Sequence, residues 1–378
     1  MKIGILTYYG DLNCGTNLQA YATLCAVKKS FPHDNVNIIA FHGFTPPNVR
    51  PYLYHCTPIS LWRDLKRIKG YKSFVQHFLG VINSPIIRNP QEALSYIDSF
   101  GYDRIYIGAD TLLELDRLPK NYDGLSAYWL SPKVQAKQYL LSASAKNVSY
   151  KNLTHRQKEE LISCIPNYNG ISVRDMTTFR LIANFIAKEK ILLTPDPTFT
   201  LEIEDYHAAN YIKRRNLKLD NVICLHTLRD DQWASGFVKL AKEKGYQIAS
   251  FRPARWADFE LNDMTPFEQL GIYRFFKCMI THRFHDTVFC LKNNCPVISY
   301  PVSCAYIDDN GDSKYSTLLS HFDLCDLCLI DDRQSIVPEV LMEKVDNVIS
   351  EFPNYKKKII KVRNEISENY MKSIRKMN

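Results

Sequence analysis

No run of this sequence approaches the roughly 20 apolar residues that a membrane-spanning helix requires, so a helical membrane protein is not expected. A secretion signal is not recognisable either: the apolar run after Met1-Lys2 is short, and Asp11 breaks it. A disulfide framework is missing as well. The 11 cysteines are scattered and odd in number, whereas secreted disulfide scaffolds are short and evenly paired, so reduced thiols in a cytoplasmic protein are expected. The one close pair, Cys325-Asp-Leu-Cys328, lacks a second pair at zinc spacing and reads as two buried thiols, with no metal site expected. No dense Lys/Arg block with interleaved aromatics occurs, which argues against a nucleic-acid partner. Internal repeats and low-complexity tracts are absent too.

What is present suffices for two ordinary domains: 378 residues, 46% of them apolar, enough to bury sizeable cores. The net charge of +8 favours anionic partners such as phosphorylated metabolites or lipid headgroups.

Lys2-Ile-Gly-Ile-Leu-Thr-Tyr8 reads as a buried strand, Asp11 to Thr16 as a polar loop, and the spacing of Leu18, Tyr21 and Cys25 as a helix ending near Pro32. Val36 to Phe41 reads as the next strand, which opens a parallel α/β domain. Further strands are expected at 104–108, 138–143, 170–173 and 191–194, with Pro195-Asp-Pro197 ending the first domain's regular structure. The first domain is expected over 1–202 and a linker over 203–219. A second α/β domain should follow over 220–335, then a helical, charged segment over 336–378. In the second domain strands are expected at 222–225, 246–250, 279–281 and 297–300. Residues 59–79 form a basic amphipathic segment. Ile59, Trp62, Leu65, Ile68, Val75 and Phe78 recur at near-helical spacing, with Arg63, Lys66, Arg67, Lys69 and Lys72 between them. Such a segment either packs as a surface helix or touches anionic lipid headgroups.

Ligands of open α/β sheets bind beyond the carboxyl ends of the strands. The residues found there in the second domain are His226 and Arg229, then Arg252 and Arg255, then His282, Arg283 and His285. The last group also opens a helix, where free backbone N–H groups favour an anion. Guanidinium suits phosphate or carboxylate, and imidazole exchanges protons near neutrality. Arg283 and His285 therefore mark the expected centre of an active site. In the first domain Asn13, Gly15, Thr16 and Asn17 lie where the first strand meets the first helix, and could bind a ligand or merely cap that helix. Arg174 and Asp175 also follow a strand and could equally be a surface ion pair.

Taken in order, these motifs resemble the polysaccharide pyruvyl transferase family over roughly 1–330. The carriers are Asn13-Cys-Gly-Thr-Asn-Leu-Gln-Ala-Tyr21, Tyr102-Asp-Arg-Ile-Tyr-Ile-Gly-Ala-Asp110 and Tyr139-Leu-Leu-Ser-Ala-Ser144. Further along come Ile171-Ser-Val-Arg-Asp175, Pro195-Asp-Pro197, Thr281-His-Arg-Phe-His285 and Asp312-Ser-Lys-Tyr315. The resemblance implies a GT-B-like fold: two Rossmann-type, doubly wound domains facing a central cleft. It implies transfer of pyruvate from phosphoenolpyruvate onto two hydroxyls of a hexose such as galactose, in a polysaccharide or a lipid-linked precursor. A polyprenyl-diphosphate-linked acceptor would suit a membrane contact through 59–79 at the inner face of the cell membrane, in a capsule or exopolysaccharide pathway. His285 would be the proton donor. Arg283, Arg174 and Lys314, with His226 and His282, would hold the donor. Asn13, Gly15 and Asn17 would face the acceptor, and Asp110 could serve as a base. The reaction so written uses no cofactor. A nucleotide-sugar glycosyltransferase of the same architecture and a non-catalytic sugar-binding relative are the alternatives.

Overall fold

The computed structural model describes residues 1–44, 58–115, 118–146, 148–228, 231–301 and 312–377. The first unit runs β1 (Lys2–Leu6), α1 (Cys14–Ser30), β2 (Asn35–Ile38), α2 (Pro58–Phe74), α3 (Pro90–Asp98), β3 (Arg104–Ile107), β4 (Lys137–Ala143), α4 (His155–Cys164), β5 (Gly170–Val173), α5 (Met176–Ile182) and β6 (Ile191–Leu193). The second runs α6 (Asp205–Arg215), β7 (Val222–His226), α7 (Trp233–Glu243), β8 (Gln247–Ser250), β9 (Phe259–Glu260), α8 (Pro266–Ile272), β10 (Cys278–Thr281), α9 (Phe284–Asn293), β11 (Val297–Ser299), α10 (Lys314–Ser320) and α11 (Cys325–Cys328), followed by the long α12 (Pro338–Lys376).

Both sheets are parallel throughout. Their strand orders are β2-β1-β3-β4-β5-β6 and β11-β10-β7-β8-β9. Parallel sheets need both faces covered, and the central strands read accordingly: β7 and β10 are buried along their whole length. Each order reverses once, between β1 and β3 in the first sheet and between β7 and β10 in the second. Crevices form at such reversals, beyond the carboxyl ends of the strands. The two crevices face each other, and this opposition positions the site.

The units share apolar packing. One core runs from Ile3 and Leu18 through Tyr71 and Phe199 to Ile223 and Ile374, while the other face of the first sheet holds its own core around Trp129 and Leu140. Full burial of a side chain such as Leu18 is worth roughly 1.5–3 kcal/mol. Rings of Tyr21, Phe74, Phe78 and Phe267 pack edge-on at the seam of α1, α2 and α8.

One element differs from expectation, and two others are sharpened. The stretch 203–219, expected as a linker, contains α6, which buries Ala208 and Tyr211 against α8 and belongs to the second unit. Tyr211 donates a hydrogen bond of 2.6 Å to Asp263, which also pairs with Arg215. The basic segment 59–79 turns much of its charge inward. Arg63 pairs with Glu260 at 3.1 Å, Lys66 with Asp263 at 3.0 Å, and Arg67 donates to the Leu12 carbonyl at 2.7 Å. Arg63 and Lys66 thus join the two units and Arg67 braces the β1–α1 loop, while Leu61, Trp62, Leu65, Lys69 and Lys72 remain exposed. The C-terminal segment is one helix that begins on the second unit and ends on the first. Lys358 pairs with Asp323, Arg363 donates to the Lys292 carbonyl, and Tyr370 hydrogen-bonds Thr23. Among the described residues no helix is long and apolar enough to cross a membrane.

Candidate active site

Between the two crevices lies a cavity of about 430 Å³, lined from both units. From the first come the β1–α1 loop with Asn13, Gly15 and Thr16, Asp110 after β3, and Arg174 after β5. From the second come His226 at the end of β7, Arg252 after β8, His282, Arg283, Phe284 and His285 after β10, and Lys314 at the start of α10. Most residues expected from strand-end position therefore converge. Asn17 does not line the cavity. Its amide donates to the Asp11 and Asn13 carbonyls at 2.8 Å and its oxygen accepts from Gly10 N–H at 3.0 Å, so it ties the loop together. Arg255 is exposed outside the cavity, and Arg229 lies outside the described residues. Asp175 caps α5, accepting from the Thr178 amide at 2.8 Å and the Thr178 hydroxyl at 2.7 Å. Asn13 lines the cavity and also caps α1, accepting from Gly15 N–H at 3.1 Å.

Gly15 and His285 bring the two units into close approach. A Cβ on Gly15 would lie 2.1 Å from Cγ and Nδ1 of His285 and 2.5 Å from its Cβ, so only glycine leaves room for the ring. The His285 ring also stacks on Phe289, 6.1 Å between centroids. Its Nε2 is buried 3.5 Å from Oδ2 of Asp196, and its Nδ1 packs beside Gly15. Asp196 comes from Pro195-Asp-Pro197, expected only to end the first unit. It collects Gln19 Nε2 at 2.5 Å, Arg174 at 3.3 Å, the Thr198 amide at 2.9 Å and the Thr198 hydroxyl at 2.6 Å. Ser142 holds that turn by donating to the Thr194 and Pro195 carbonyls at 2.7 and 2.8 Å.

Burial alone would raise the Asp196 carboxyl. His285, Arg174 and Thr198 outweigh it and hold the group below the usual carboxylate range. Asp110 is treated the same way: burial raises it, but His285, Arg174 and hydrogen bonds from Thr111 N–H (2.8 Å) and Thr16 Oγ1 (2.9 Å) bring it below the ordinary value. A carboxylate held low with both oxygens engaged is a poor proton acceptor, which counts against Asp110 as a base and favours an electrostatic role. Gly108 brings Asp110 here. Its φ is +148°, and a Cβ would overlap the Leu141 carbonyl oxygen at 1.9 Å.

The cations gather around one ring. Arg174 lies 5.0 Å and Lys314 5.2 Å from the Phe284 centroid, so the middle residue of Arg-Phe-His supports both. Desolvation, then the neighbouring Arg174, pushes Lys314 down to about 8. The Arg283 guanidinium has no hydrogen-bond or ion-pair partner among the described residues, and its Nε is buried without one. Buried donors of a cation left unmade are what an anionic ligand would satisfy.

Asp286 was not anticipated. It is buried in the first turn of α9. His226 Nδ1 lies 2.6 Å from its Oδ2, Thr281 Oγ1 donates to the same oxygen at 2.8 Å, and Tyr273 donates to Oδ1 at 2.6 Å. Burial opposes its ionisation, yet His226 and these hydroxyls bring its carboxyl down to about 2. His282 sits edge-on to His226, 5.2 Å between centroids, and donates from Nδ1 to the His226 carbonyl at 2.7 Å. Burial, aided by His226 and Arg283, lowers His282 to about 2, so it is neutral at pH 7. Among the described residues no group of three or more His, Cys, Asp or Glu is placed to hold a metal ion, and Cys325 and Cys328 lie in the short α11.

A sequence profile described as polysaccharide pyruvyl transferase matches residues 13–303, most of the chain. No curated protein matches the sequence significantly. Solved structures of similar fold include the UDP-GlcNAc 2-epimerase from Neisseria meningitidis bound to UDP-GlcNAc. It has 9% identity and a TM-score of 0.55, covering 100% of this chain and 99% of that one. Another is S. aureus MnaA with UDP, at 7% identity and TM-score 0.54, covering 93% and 91%. A glycosyltransferase from Rickettsia africae ESF-5 has 12% identity and TM-score 0.51, covering 99% and 96%. The architecture is GT-B-like. The chain belongs to the polysaccharide pyruvyl transferase family.

Proposed function

From that membership as premise, we propose that this protein moves the pyruvyl group of phosphoenolpyruvate onto two hydroxyls of a hexose, galactose being the sugar to test first. The carrying observation is the convergence of Arg174, Arg283, Lys314 and His285 from both units on one cavity, around a guanidinium without a partner among the described residues. Phosphoenolpyruvate brings a phosphate and a carboxylate, and planar guanidinium forks match both.

His285 gives a proton to the methylene carbon C3, which becomes a methyl group. C2 gains oxocarbenium character. One sugar oxygen bonds to C2 and loses its proton, the C2–O bond to phosphorus breaks, and phosphate leaves with the electron pair. The second sugar oxygen then bonds to C2, and its proton departs with phosphate. Asp196 supports the acid from behind at 3.5 Å. Asp110 faces the cationic cluster with its charge. Asn13 and Gly15 border the acceptor side.

Incubation with phosphoenolpyruvate and a galactoside should release phosphate and add the mass of a pyruvyl ketal. Consumption of nucleotide sugars alone would refute the reading in favour of a glycosyltransferase. His285→Ala should abolish turnover while the near-ultraviolet circular dichroism stays native.

A lipid-linked acceptor and an anionic membrane fit the outer face of α2, where Leu61, Trp62 and Leu65 stand exposed beside Lys69 and Lys72. Sedimentation with phosphatidylglycerol vesicles should weaken in Lys69→Glu/Lys72→Glu. Arg63 and Lys66 are unsuitable for this test because they join the two units, and Arg67 because it braces the β1–α1 loop.

A further inference from the structure

The ketal reaction needs two proton carriers. One proton goes to C3 and one must be taken from an attacking hydroxyl. His285 with Asp196 supplies the first. The cavity is also lined by a second imidazole–carboxylate pair, made from different elements and through Nδ1 rather than Nε2.

We propose that His226, oriented by Asp286, is the general base that takes the proton from the first attacking acceptor hydroxyl. This rests on the pyruvyl-transfer reading and assigns His226 a task other than donor binding. The geometry carries it. Asp286 accepts from three donors, His226, Tyr273 and Thr281, so it is a carboxylate and His226 Nδ1 bears the proton. The opposite nitrogen, Nε2, therefore carries the lone pair. His226 lines the cavity, and Nε2 has no hydrogen-bond partner among the described residues. The pair sits where the second sheet reverses, β7 supplying the imidazole and the first turn of α9 the carboxylate. Asp286 acts through His226 and is a positioning residue.

The surroundings keep the imidazole neutral. Burial lowers His226 first, Asp286 raises it, and Arg283 and Arg252 lower it again. His282, itself neutral, faces it edge-on, and Phe251 covers another side at 5.6 Å. An anion clamp needs a cation, whereas a neutral imidazole with its Nδ1–H fixed is a proton acceptor. The step balances. The hydroxyl oxygen forms its bond to C2 as its proton moves to Nε2, and His226 leaves the step as imidazolium. His285, having given its proton to C3, leaves neutral. Exchange with solvent resets both.

The test begins with wild-type protein, phosphoenolpyruvate and a galactoside. Absence of phosphate release and of ketal mass would sink the transferase reading itself. Given transfer, His226→Gln and Asp286→Asn should lower kcat by about 10²- to 10⁴-fold. The Kd for phosphoenolpyruvate should stay within about threefold, since a general base that meets only the acceptor leaves donor binding alone. Imidazole added to His226→Ala should restore at least about tenfold of the lost rate, as an external base in the vacated space. Asp286→Asn should move the acid limb of the kcat profile to lower pH, because the carboxylate raises the His226 imidazole. A donor Kd raised more than about tenfold with kcat intact would make His226 a donor clamp and overturn the proposal. So would a kcat loss without imidazole rescue and with an unmoved pH profile, the signature of a structural role. Should His226→Ala fail to fold, His226→Gln and the Asp286→Asn profile decide alone.

Discussion

Replacing Gly15 by alanine sets two effects of opposite sign against each other. Gly15 lies in the first turn of α1 and its φ is not positive, so alanine suits the backbone and stiffens the unfolded chain less expensively. That contributes up to about 1 kcal/mol. Across the cleft the new Cβ would meet Cγ and Nδ1 of His285 at 2.1 Å and Cβ at 2.5 Å. Non-bonded carbons settle at about 3.5–4.0 Å, so the gap must widen by about 1–2 Å. Rotation of the imidazole relieves only the ring contacts. The Cβ contact at 2.5 Å requires α9 itself to withdraw, and with it Arg283 and Asp286. Displacement of reacting groups by about 1 Å costs on the order of 100-fold in rate. Gly15→Ala should therefore remain folded while its kcat, read by phosphate release from phosphoenolpyruvate, falls about 100-fold or more. The double variant with His285→Gly removes the contacts with Cγ, Nδ1 and Cβ, so a thermal-unfolding cycle should show a coupling of about 1 kcal/mol or more. A kcat within threefold of wild type, together with additive stabilities, would refute the close approach and the site built on it.

Other expectations follow from the same geometry. Arg283→Lys keeps the charge but loses the planar fork, so kcat/KM for phosphoenolpyruvate should drop by about 10- to 100-fold, mostly in KM. A change below threefold would remove Arg283 from the donor site. Lys314 is cationic below about 8 and neutral above, so KM for phosphoenolpyruvate should rise as pH passes from 7.5 to 9.5. Lys314→Arg should extend the flat region upward, and an identical profile in both proteins would contradict the assignment. His282 is lowered to about 2 by burial, below its ordinary value of 6.5. The unfolded chain therefore takes up a proton first, and stability present above pH 6.5 is lost as pH falls below it. The slope is about 1.4 kcal/mol per pH unit for one such group. Urea unfolding of His282→Gln between pH 6.5 and 5 should lose about that much slope, and an unchanged slope would refute its buried neutral state.

The location of the site was legible because chain position and chemistry coincide there. A strand end, a turn and a helix start follow one another within Thr281 to Phe284, so Arg283 and His285 could be found from local pattern. The same logic found Arg174, whereas Asp110 came from the family resemblance. Asp196 was hidden because a Pro-Asp-Pro turn reads as a terminator, and its partners Gln19 and His285 are far away in sequence. Asp286 was hidden for another reason. An acid in the first turn of a helix ordinarily complements the helix dipole, and only the fold brings His226 and Tyr273 onto it. Helix α6 was missed because it buries little besides Ala208 and Tyr211, leaving the basic residues after Tyr211 to read as a connector. The inward turn of Arg63 and Lys66 was equally invisible, since their partners Glu260 and Asp263 lie about two hundred positions away.

Helix α12 has a mechanical consequence. The chain leaves the first unit near Leu201, builds the second, and returns within α12 between Arg363 and Tyr370. The units are thus joined by two tethers that run side by side: α12 packs on Pro197–Thr200, and Lys292, whose carbonyl accepts from Arg363, donates to the Phe199 and Leu201 carbonyls. A single tether permits swivel in every direction. Two adjacent tethers resist twist and sliding more than one would, and they confine the covalent links to one edge of the cleft. A cleft hinged at that edge would close by bringing His285 back to its seat beside Gly15.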